Sequence, residues 1–302
     1  MKHYLQDRVA IVTGAGTGLG RAHALELARH GARVVVNDVA GSHAGSPARS
    51  VADEIVRSGG QALAVGGDVT DYAGMQDMVA HVINQWQRID ILVNNAGILR
   101  DKSFSKMSLD DFRQVMDVHL MGSVHCIKAV WETMRTQRYG RIVMTTSSSG
   151  LYGNFGQANY SAAKMALVGL MQTLALEGAK YDIRVNCLAP TAATAMTEGL
   201  LAPEALARLA PAAVSPALVA LVGDDAPTRR ILLAGAGSVE SANITMTQGI
   251  FIGDADDPAG QIRTRMGQVL DRQGELVPNT GFEQCQFELA KGNFQMELPA
   301  SA

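Results

Sequence analysis

Short apolar runs recur along the chain and alternate with segments of helical periodicity. The runs are rich in Val or Ile, end at Gly, Asn, Asp or Ser, and begin at Arg8, Arg33, Ala62, Ile89, Gly140 and Ile183. Such runs are typical of strands buried between two helix layers. The segments between them, for example 20–31 and 75–86, repeat apolar residues every three or four positions. The alternation predicts an α/β fold, with a single doubly wound parallel sheet and helices on both faces, in one domain over residues 1–252.

Residues 253–302 do not continue this alternation. They are polar and mixed, with Phe282, Phe287 and Phe294 among polar neighbours, and only 261–272 has helical periodicity. We expect a C-terminal extension that packs on the domain, docks on a neighbouring subunit, or is loose, because chain termini are usually peripheral.

Charge and cysteine content narrow the classes of partner. The 302 residues carry a formal net charge of −3, and Lys and Arg are scattered rather than clustered. This argues against nucleic acid or an anionic membrane surface as a partner. Three cysteines, distant in sequence, indicate neither a disulfide framework nor a metal cage, so we expect no metal and a reducing, cytoplasmic location. We find neither a signal peptide nor an apolar stretch long enough to span a membrane.

A glycine-rich turn follows the first predicted strand. Its glycines stand at positions 14, 16, 18 and 20, directly before a predicted helix. Glycine permits positive φ and close backbone approach, so the N–H groups at the helix start can face a pyrophosphate. The strict GxGxxG pattern is not met, because Leu19 and Arg21 occupy the positions for its last glycine. A turn without a ligand is the alternative.

The second predicted strand ends at Asp38, eighteen residues after Gly20. A carboxylate there can accept hydrogen bonds from the adenosine ribose hydroxyls and would repel a 2′-phosphate, which favours NAD over NADP. A surface aspartate that caps a turn is the alternative. Asp68, after the third strand, is a candidate for the adenine amino group or a strand terminator. The fourth strand ends at 94–97, at the sheet edge where such folds bind ligands.

Tyr160 and Lys164 stand four residues apart in an alanine-rich, helical segment. This spacing places both side chains on one helix face, where the ammonium is expected to favour the ionised phenol. Tyr160 is then a candidate proton acceptor from an alcohol, or a donor to a ketone in the reverse direction. An interfacial tyrosine beside a solvated lysine is the alternative for an isolated pair.

Four motifs occur together and in order: Thr13-Gly14-x3-Gly18-x-Gly20, Asn94-Asn95-Ala96-Gly97, Ser147, and Tyr160-x3-Lys164. This combination resembles the short-chain dehydrogenase/reductase family over about the first 250 residues. The resemblance implies a Rossmann-type fold and a nicotinamide cofactor. It also implies that Tyr160 is the catalytic acid/base, that Ser147 binds the substrate oxygen, and that Lys164 holds the nicotinamide ribose and lowers the pKa of the tyrosine. Asn159 is expected to be structural.

The expected cofactor-binding residues are Gly14, Thr17, Gly18, Leu19, Gly20, Asp38, Asp68, Val69, Asn95, Ala96, Gly97, Tyr160, Lys164, Pro190 and Thr191. The resemblance further implies a homotetramer or homodimer through the long helices after the fourth and fifth strands. Leu167, Leu170, Met171 and Leu174 are candidates for the paired face, although the same residues fit a core.

His119 departs from the family pattern, in which most members carry an asparagine that shapes the helix and holds a water for proton relay. A histidine can hold a water and titrate near neutral pH, which makes it a catalytic candidate, or it can simply fill the same volume. The surrounding sequence, 117–123 with 129–164, resembles the (3R)-hydroxyacyl-CoA dehydrogenase units of peroxisomal type 2 multifunctional enzymes. Hydratase and sterol-carrier segments do not follow here, which implies a free-standing enzyme.

Substrate specificity is expected in the small, apolar and Pro-punctuated segment 188–214, which can close over an apolar substrate or serve as a connector. The leading hypothesis is an NAD-dependent dehydrogenase of a secondary alcohol, with a hydroxyacyl-CoA or hydroxysteroid substrate. The alternatives are a reductase of small carbonyl compounds with the same residues, and a catalytically silent NAD-binding module.

Overall fold

The computed structural model describes residues 3–194 and 202–294. Contacts within the chain divide it into two units, Met1–Ala242 and Asn243–Ala302. The change in sequence pattern is predicted ten residues later, at 253. No helix among the described residues is long and apolar enough to cross a bilayer.

The first unit is built on one eight-stranded sheet in the order β3-β2-β1-β4-β5-β6-β7-β8. The strands are β1 Val9–Val12, β2 Arg33–Asp38, β3 Gln61–Gly66, β4 Ile91–Asn94, β5 Gly140–Thr145, β6 Ile183–Pro190, β7 Ile231–Gly235 and β8 Ser238–Ala242. The first seven pair in parallel and β8 runs antiparallel to β7. The order reverses between β1 and β4, which is the topological switch point where such sheets bind ligands. The predicted doubly wound sheet is confirmed.

Helices cover both faces of the sheet. The α-helices are α1 Gly18–Arg29, α2 Pro47–Arg57, α3 Tyr72–Trp86, α4 Leu109–Met116, α5 Gly122–Gln137, α6 Ser148–Tyr152, α7 Ala158–Gly178, α8 Pro203–Arg208, α9 Ser215–Val222, α10 Pro258–Thr264, α11 Met266–Val269 and α12 Gly281–Lys291. One core packs α1, α2 and α9 on the sheet, and the other packs α3, α5 and α7. The strands between these layers are almost wholly buried, which explains their continuous apolar sequence.

Three features differ from the sequence prediction. Strands β7 and β8 form a hairpin that the pattern does not reveal, because β8 has a mostly exposed, polar sequence at the sheet edge. The described part of the second unit, residues 243–294, contains three helices where periodicity predicts one over 261–272. Leu167 and Met171 on α7 are buried in the core of the first unit, so they do not supply an exposed pairing face.

Candidate active site

The glycine turn between β1 and α1 has the conformation expected of a phosphate-binding loop. Gly14 and Gly18 have φ of 60° and 52°, and a Cβ on Gly20 would lie 2.2 Å from the carbonyl oxygen of Gly14. A Cβ on Gly14 would lie 2.8 Å from Cα of Ala96. The chain therefore requires glycine here for its own packing, and the glycines leave the backbone N–H groups at the start of α1 open to close approach, which fits a pyrophosphate. Thr17 immediately precedes α1, and Leu19 lies in its first turn.

Asp38 closes the loop from the end of β2. Its Oδ2 accepts a hydrogen bond from the Gly16 N–H at 3.0 Å, and its Oδ1 accepts one from the Ala40 N–H at 3.1 Å. A carboxylate oxygen can accept more than one hydrogen bond, so both retain capacity for ribose hydroxyls. Asn37, which is buried, fixes this strand end by donating to the carbonyls of Val65 and Gly67. The residues present thus fit the adenosine end of a dinucleotide.

The segment after β4 is tied to the glycine turn by Thr13 and Asn95. Thr13 Oγ1 accepts hydrogen bonds from the backbone N–H groups of Asn95 and Ala96, at 3.0 and 3.1 Å. The Asn95 amide donates to the carbonyls of Thr13 and Gly14. Asn95 therefore holds the glycine turn in place through internal bonds, and its predicted contact with a cofactor stays a prediction.

Asp68 and Val69 follow β3 at the same edge of the sheet. Asp68 Oδ1 accepts from the N–H and the hydroxyl of Thr70, both at 2.9 Å, so it ends the strand and organises a turn. Val69 is buried, and its carbonyl contacts Nδ1 of His125 at 3.0 Å. Two more predicted residues, Pro190 and Thr191, lie at the end of β6, where Thr191 donates its N–H to the carbonyl of Ala234.

Ser147, Tyr160 and Lys164 are brought together where β5 ends. Ser147 precedes α6, and its Oγ accepts the Ser149 N–H at 3.1 Å, while Tyr160 and Lys164 lie in the first two turns of α7. A Cβ on Gly150 would lie 2.8 Å from Cβ of Lys164, so glycine at this position allows α6 to approach α7 closely.

Lys164 is buried, with 3% of its surface exposed, and its Nζ donates to the Thr145 carbonyl at 2.6 Å. Burial lowers the pKa of Lys164 to about 7, so its ammonium is only partly charged near neutral pH. The Thr146 hydroxyl donates to the Lys164 carbonyl at 2.7 Å and joins the end of β5 to α7. Buried lysines seldom persist without a function, because desolvating the ammonium is costly.

The pKa of Tyr160 differs from the sequence expectation. Burial raises the pKa of Tyr160, the hydrogen bond with Ser147 lowers it, and the charge of Asp101 raises it further, with a net shift upward. Lys164 Nζ lies 5.4 Å from the centre of the tyrosine ring. Because burial lowers the pKa of Lys164, its amine is only partly charged near neutral pH. The protein groups described here therefore favour the protonated phenol, and the expected lowering of its pKa by Lys164 together with the positive charge of an oxidised nicotinamide stays a prediction.

His119 lies on a π-helical turn, Asp117–Met121, between α4 and α5. Its ring packs edge-on to the Tyr160 ring, with centroids 5.2 Å apart, and its Nε2 contacts both the N–H and the carbonyl of Ile98. Burial, followed by the charge of Lys164, lowers the pKa of His119 to about 3. His119 is therefore neutral near pH 7 rather than titrating there.

A close fit holds the His119 ring. A Cβ on Gly97 would lie 2.3 Å from its Cε1, so the glycine that ends the Asn-Asn-Ala-Gly motif makes room for the imidazole. Within the described part of the chain, Nδ1 of His119 is buried without a hydrogen-bond partner.

Sequence reasoning misses two residues beside this group, Asp101 and Gln157. Their side chains are hydrogen-bonded across 56 positions of sequence, a separation that no motif encodes. Asn159 has the structural role expected of it, because it accepts the Tyr160 N–H and donates to the Arg100 carbonyl. The predicted specificity segment 188–214 is only partly visible, since 195–201 lie outside the described residues.

The family model for short chain dehydrogenase matches residues 8–205 of the chain. A short-chain type dehydrogenase/reductase of Mycobacterium tuberculosis is 44% identical over 279 residues, covering 90% of this chain and 97% of its own. Peroxisomal multifunctional enzyme type 2 of Drosophila melanogaster is 50% identical over 219 residues, which cover 71% of this chain and 36% of that enzyme.

Solved structures agree with these similarities in sequence. The structure of the full-length Drosophila enzyme superimposes with a TM-score of 0.81 and 36% identity, covering 98% of this chain and 51% of that one. A 7α-hydroxysteroid dehydrogenase complexed with NADH and 7-oxo glycochenodeoxycholic acid gives a TM-score of 0.71 and 30% identity, covering 78% of this chain and 95% of that one. The fold, the ordered motifs and these similarities establish that the chain belongs to the short-chain dehydrogenase/reductase family and is an oxidoreductase acting on hydroxyl or keto groups.

Proposed function

We propose that this protein uses NAD to interconvert a secondary alcohol and its ketone, with 3-hydroxyacyl-CoA or hydroxysteroid substrates. The observation that carries the proposal is the grouping of Ser147, Tyr160 and Lys164 at the carboxyl edge of the sheet that also holds Asp38. The names of the multifunctional and hydroxysteroid relatives support the two substrate classes. The preference for NAD over NADP rests on Asp38, whose carboxylate would repel a 2′-phosphate.

In this proposal Tyr160 exchanges a proton with the substrate oxygen and Ser147 donates a hydrogen bond to that oxygen. Ser147 stands directly before α6 and Tyr160 in the first turn of α7, so an oxygen that enters beside both hydroxyls meets two groups carried by helix starts. Lys164 is held by the Thr145 carbonyl, with its remaining N–H groups available for ribose hydroxyls. The bound nicotinamide supplies hydride transfer at its ring.

His119 is proposed to pass or hold a proton as a neutral imidazole beside Tyr160. Its edge-on packing and the unpaired Nδ1 support a relay role, and its tight fit against Gly97 supports a purely packing role. His119→Gln separates the two, since a packing role predicts lower stability with kcat close to wild type. A relay role predicts a fall in kcat with little change in thermal stability.

The face that α7 exposes supports the proposed homodimer or homotetramer. Met165 and Leu176 are 39% and 50% exposed, and nothing lies within 4 Å of a Cβ on Gly169 between them. Small and apolar residues on one exposed helix face suit close packing against another helix, and sedimentation velocity tests the assembly. A docking of 253–302 on the neighbouring subunit remains part of this proposal. A cytoplasmic location is also proposed, supported by free thiols at Cys126, Cys187 and Cys285, and cell fractionation tests it.

An activity screen tests the function. NAD is supplied with 3-hydroxyacyl-CoAs, 17β-hydroxysteroids and simple cyclic alcohols, and the reverse reaction is assayed with NADH and the matching ketones. Tyr160→Phe is expected to abolish turnover while leaving NAD binding measurable by calorimetry. Turnover of only small ketones would support the small-carbonyl reductase instead. NAD binding without turnover in the wild type would support the silent module.

A further inference from the structure

Residues 98–102, which lie after β4, contact His119 at one end and the turn before α7 at the other. At one end the backbone of Ile98 contacts Nε2 of His119 at 3.1 Å through its N–H and at 2.8 Å through its carbonyl. At the other end the Lys102 N–H donates to the Gly156 carbonyl at 2.9 Å, just before α7. The segment therefore lies between the imidazole and the turn that carries the tyrosine.

Gln157 joins this segment to α7. It occupies the position directly before the helix, yet its side chain does not cap the helix. Its amide nitrogen donates to Asp101 Oδ2 at 2.6 Å, and its amide oxygen accepts from Asn154 Nδ2 at 3.1 Å. Gln157 is 7% exposed, and a buried amide held at both ends fixes the chain at that point.

The backbone of Tyr160 depends on the same connection. Asn159 Oδ1 accepts the Tyr160 N–H at 2.7 Å, and Asn159 Nδ2 donates to the Arg100 carbonyl at 3.1 Å. Arg100 thus binds a side chain of the first turn of α7, Asp101 binds the side chain of the residue directly before the helix, and Lys102 binds the Gly156 carbonyl just ahead of it. These three contacts hold the first turn of α7 in place.

Four polar or charged groups surround the Tyr160 hydroxyl or its ring. Lys164 Nζ lies 5.4 Å from the ring centre and the His119 ring packs edge-on at 5.2 Å, while Ser147 stands at the start of α6 and Asp101 is joined to the start of α7 through Gln157. Among them His119 is neutral and Lys164 is partly neutral at neutral pH. The charge of Asp101 acts on Tyr160 in the direction that keeps the phenol protonated.

We propose that Asp101 is a positioning residue of the reaction, which holds the first turn of α7 through Gln157 and sets by its charge the pH range in which Tyr160 exchanges a proton. The inference rests on the proposed function of Tyr160 as the acid/base. It assigns two separable effects to one connection: the hydrogen bonds align the tyrosine, and the carboxylate biases it toward proton donation. Reduction of a ketone, in which the phenol gives its proton, is favoured by this bias at neutral pH.

The first experiment removes the charge and keeps the shape. Asp101→Asn retains an oxygen that accepts the Gln157 amide. For this variant, we measure kcat/KM for alcohol oxidation against pH. The midpoint of the rise on the acid side should move down by about half a pH unit, because one partly screened negative charge near the phenol is lost. Asp110→Asn is the matched control, because Asp110 lies on the surface with a side chain 93% exposed and should leave the midpoint in place.

The second experiment removes the alignment and keeps the charge. Gln157→Leu has similar volume but makes neither side-chain hydrogen bond, so kcat is expected to fall roughly tenfold while the midpoint stays within experimental error of wild type. Gln157→Glu adds a second carboxylate beside Asp101 and is expected to move the midpoint upward. Opposite shifts in Asp101→Asn and Gln157→Glu would not arise from general destabilisation, and circular dichroism checks that each variant is folded.

A readout without turnover separates this inference from the proposed function. The tyrosinate absorbance of Tyr160 is taken as the difference between each protein and the same protein carrying Tyr160→Phe, and is followed with pH. It should appear at lower pH in the Asp101→Asn background, even for a protein that turns over no substrate. An unchanged absorbance midpoint, or a kinetic midpoint that Asp110→Asn moves as far as Asp101→Asn does, would overturn the role of Asp101. Absence of turnover with a shifted absorbance would overturn only the enzymatic proposal.

Discussion

Two buried histidines should make this protein sensitive to mild acid. His23 on α1 is fully buried, with Nδ1 at 2.9 Å from Ser215 Oγ, and His119 is 2% exposed. Burial lowers the pKa of His23 to about 3, and burial together with the charge of Lys164 lowers the pKa of His119 to about 3. Both must gain a proton on unfolding in acid, so unfolding is favoured as the pH falls.

The sign and size follow from the two pKa values. A histidine with a depressed pKa in the folded state contributes its full stability above the unfolded value of 6.5, and that stability is lost as the pH falls from there toward 3. A pH of about 5 lies about 1.5 pH units below the unfolded value, so protonation of each histidine in the unfolded state lowers the free energy of unfolding by roughly 2 kcal/mol. Together the two should lower the free energy of unfolding by roughly 4 kcal/mol between about pH 7.5 and pH 5.

Few other groups have a shifted pKa that would change stability in this window. The pKa values of Asp111 and Asp224 are lowered from 3.8, so these two groups affect the free energy of unfolding mainly below about pH 4. Lys164, with a pKa of about 7, is mostly protonated below that pH and adds little further change. The slope between pH 7 and 5 is therefore assigned to His23 and His119.

Urea unfolding followed by circular dichroism across this range measures the slope. His23→Asn keeps an atom near the position of Nδ1 for Ser215 and removes the titrating ring. We expect it to be less stable than wild type at about pH 7.5, with its loss of stability in acid cut by about half. His81→Asn, at an exposed position on α3, is the control and should retain the full slope. An unfolding free energy independent of pH in this window, or a full slope in His23→Asn, would refute the linkage to buried neutral histidines.

Four further predictions concern the site. Gly97→Ala places a Cβ 2.3 Å from Cε1 of His119, so kcat should fall at least tenfold with a lower Tm, and an unaltered kcat would mean that the ring moves freely. Gly16→Val would direct a side chain toward the Asp38 carboxylate, whose Oδ2 lies 2.8 Å from the position of a Cβ, and calorimetry should show NAD affinity reduced by at least tenfold; Asp38→Ala, by contrast, should narrow the preference for NAD over NADP. Lys164→Met should abolish turnover. It should also raise the free energy of unfolding near pH 7 by roughly 2 kcal/mol, measured by urea titration, because a buried ammonium is removed. A less stable variant would contradict the reasoning that burial of this ammonium costs stability.

The sequence by itself determined the sheet up to β6 and the positions of the chemical groups. Strands between two helix layers are apolar at consecutive positions, and β2 and β6 begin and end where their sequence runs predict. Helix and turn geometry depend on residues close in sequence. The glycines of the first turn, and the spacing of four between Tyr160 and Lys164, can therefore be recognised in the sequence. The pairing of Tyr160 with Lys164 was predictable for that reason, whereas Ser147 was predicted from the family resemblance.

The tertiary structure alone decided how those groups are tuned. The upward pKa shift of Tyr160 and the downward shifts of Lys164 and His119 come mainly from burial, and no run of residues encodes the depth at which a side chain will lie. The bond between Asp101 and Gln157 joins two loops that only the crossover through α5 and β5 brings together. Local geometry fixes which residues can meet within one turn or strand, whereas dielectric environment and long-range contacts exist only once the whole sheet and both helix layers have assembled.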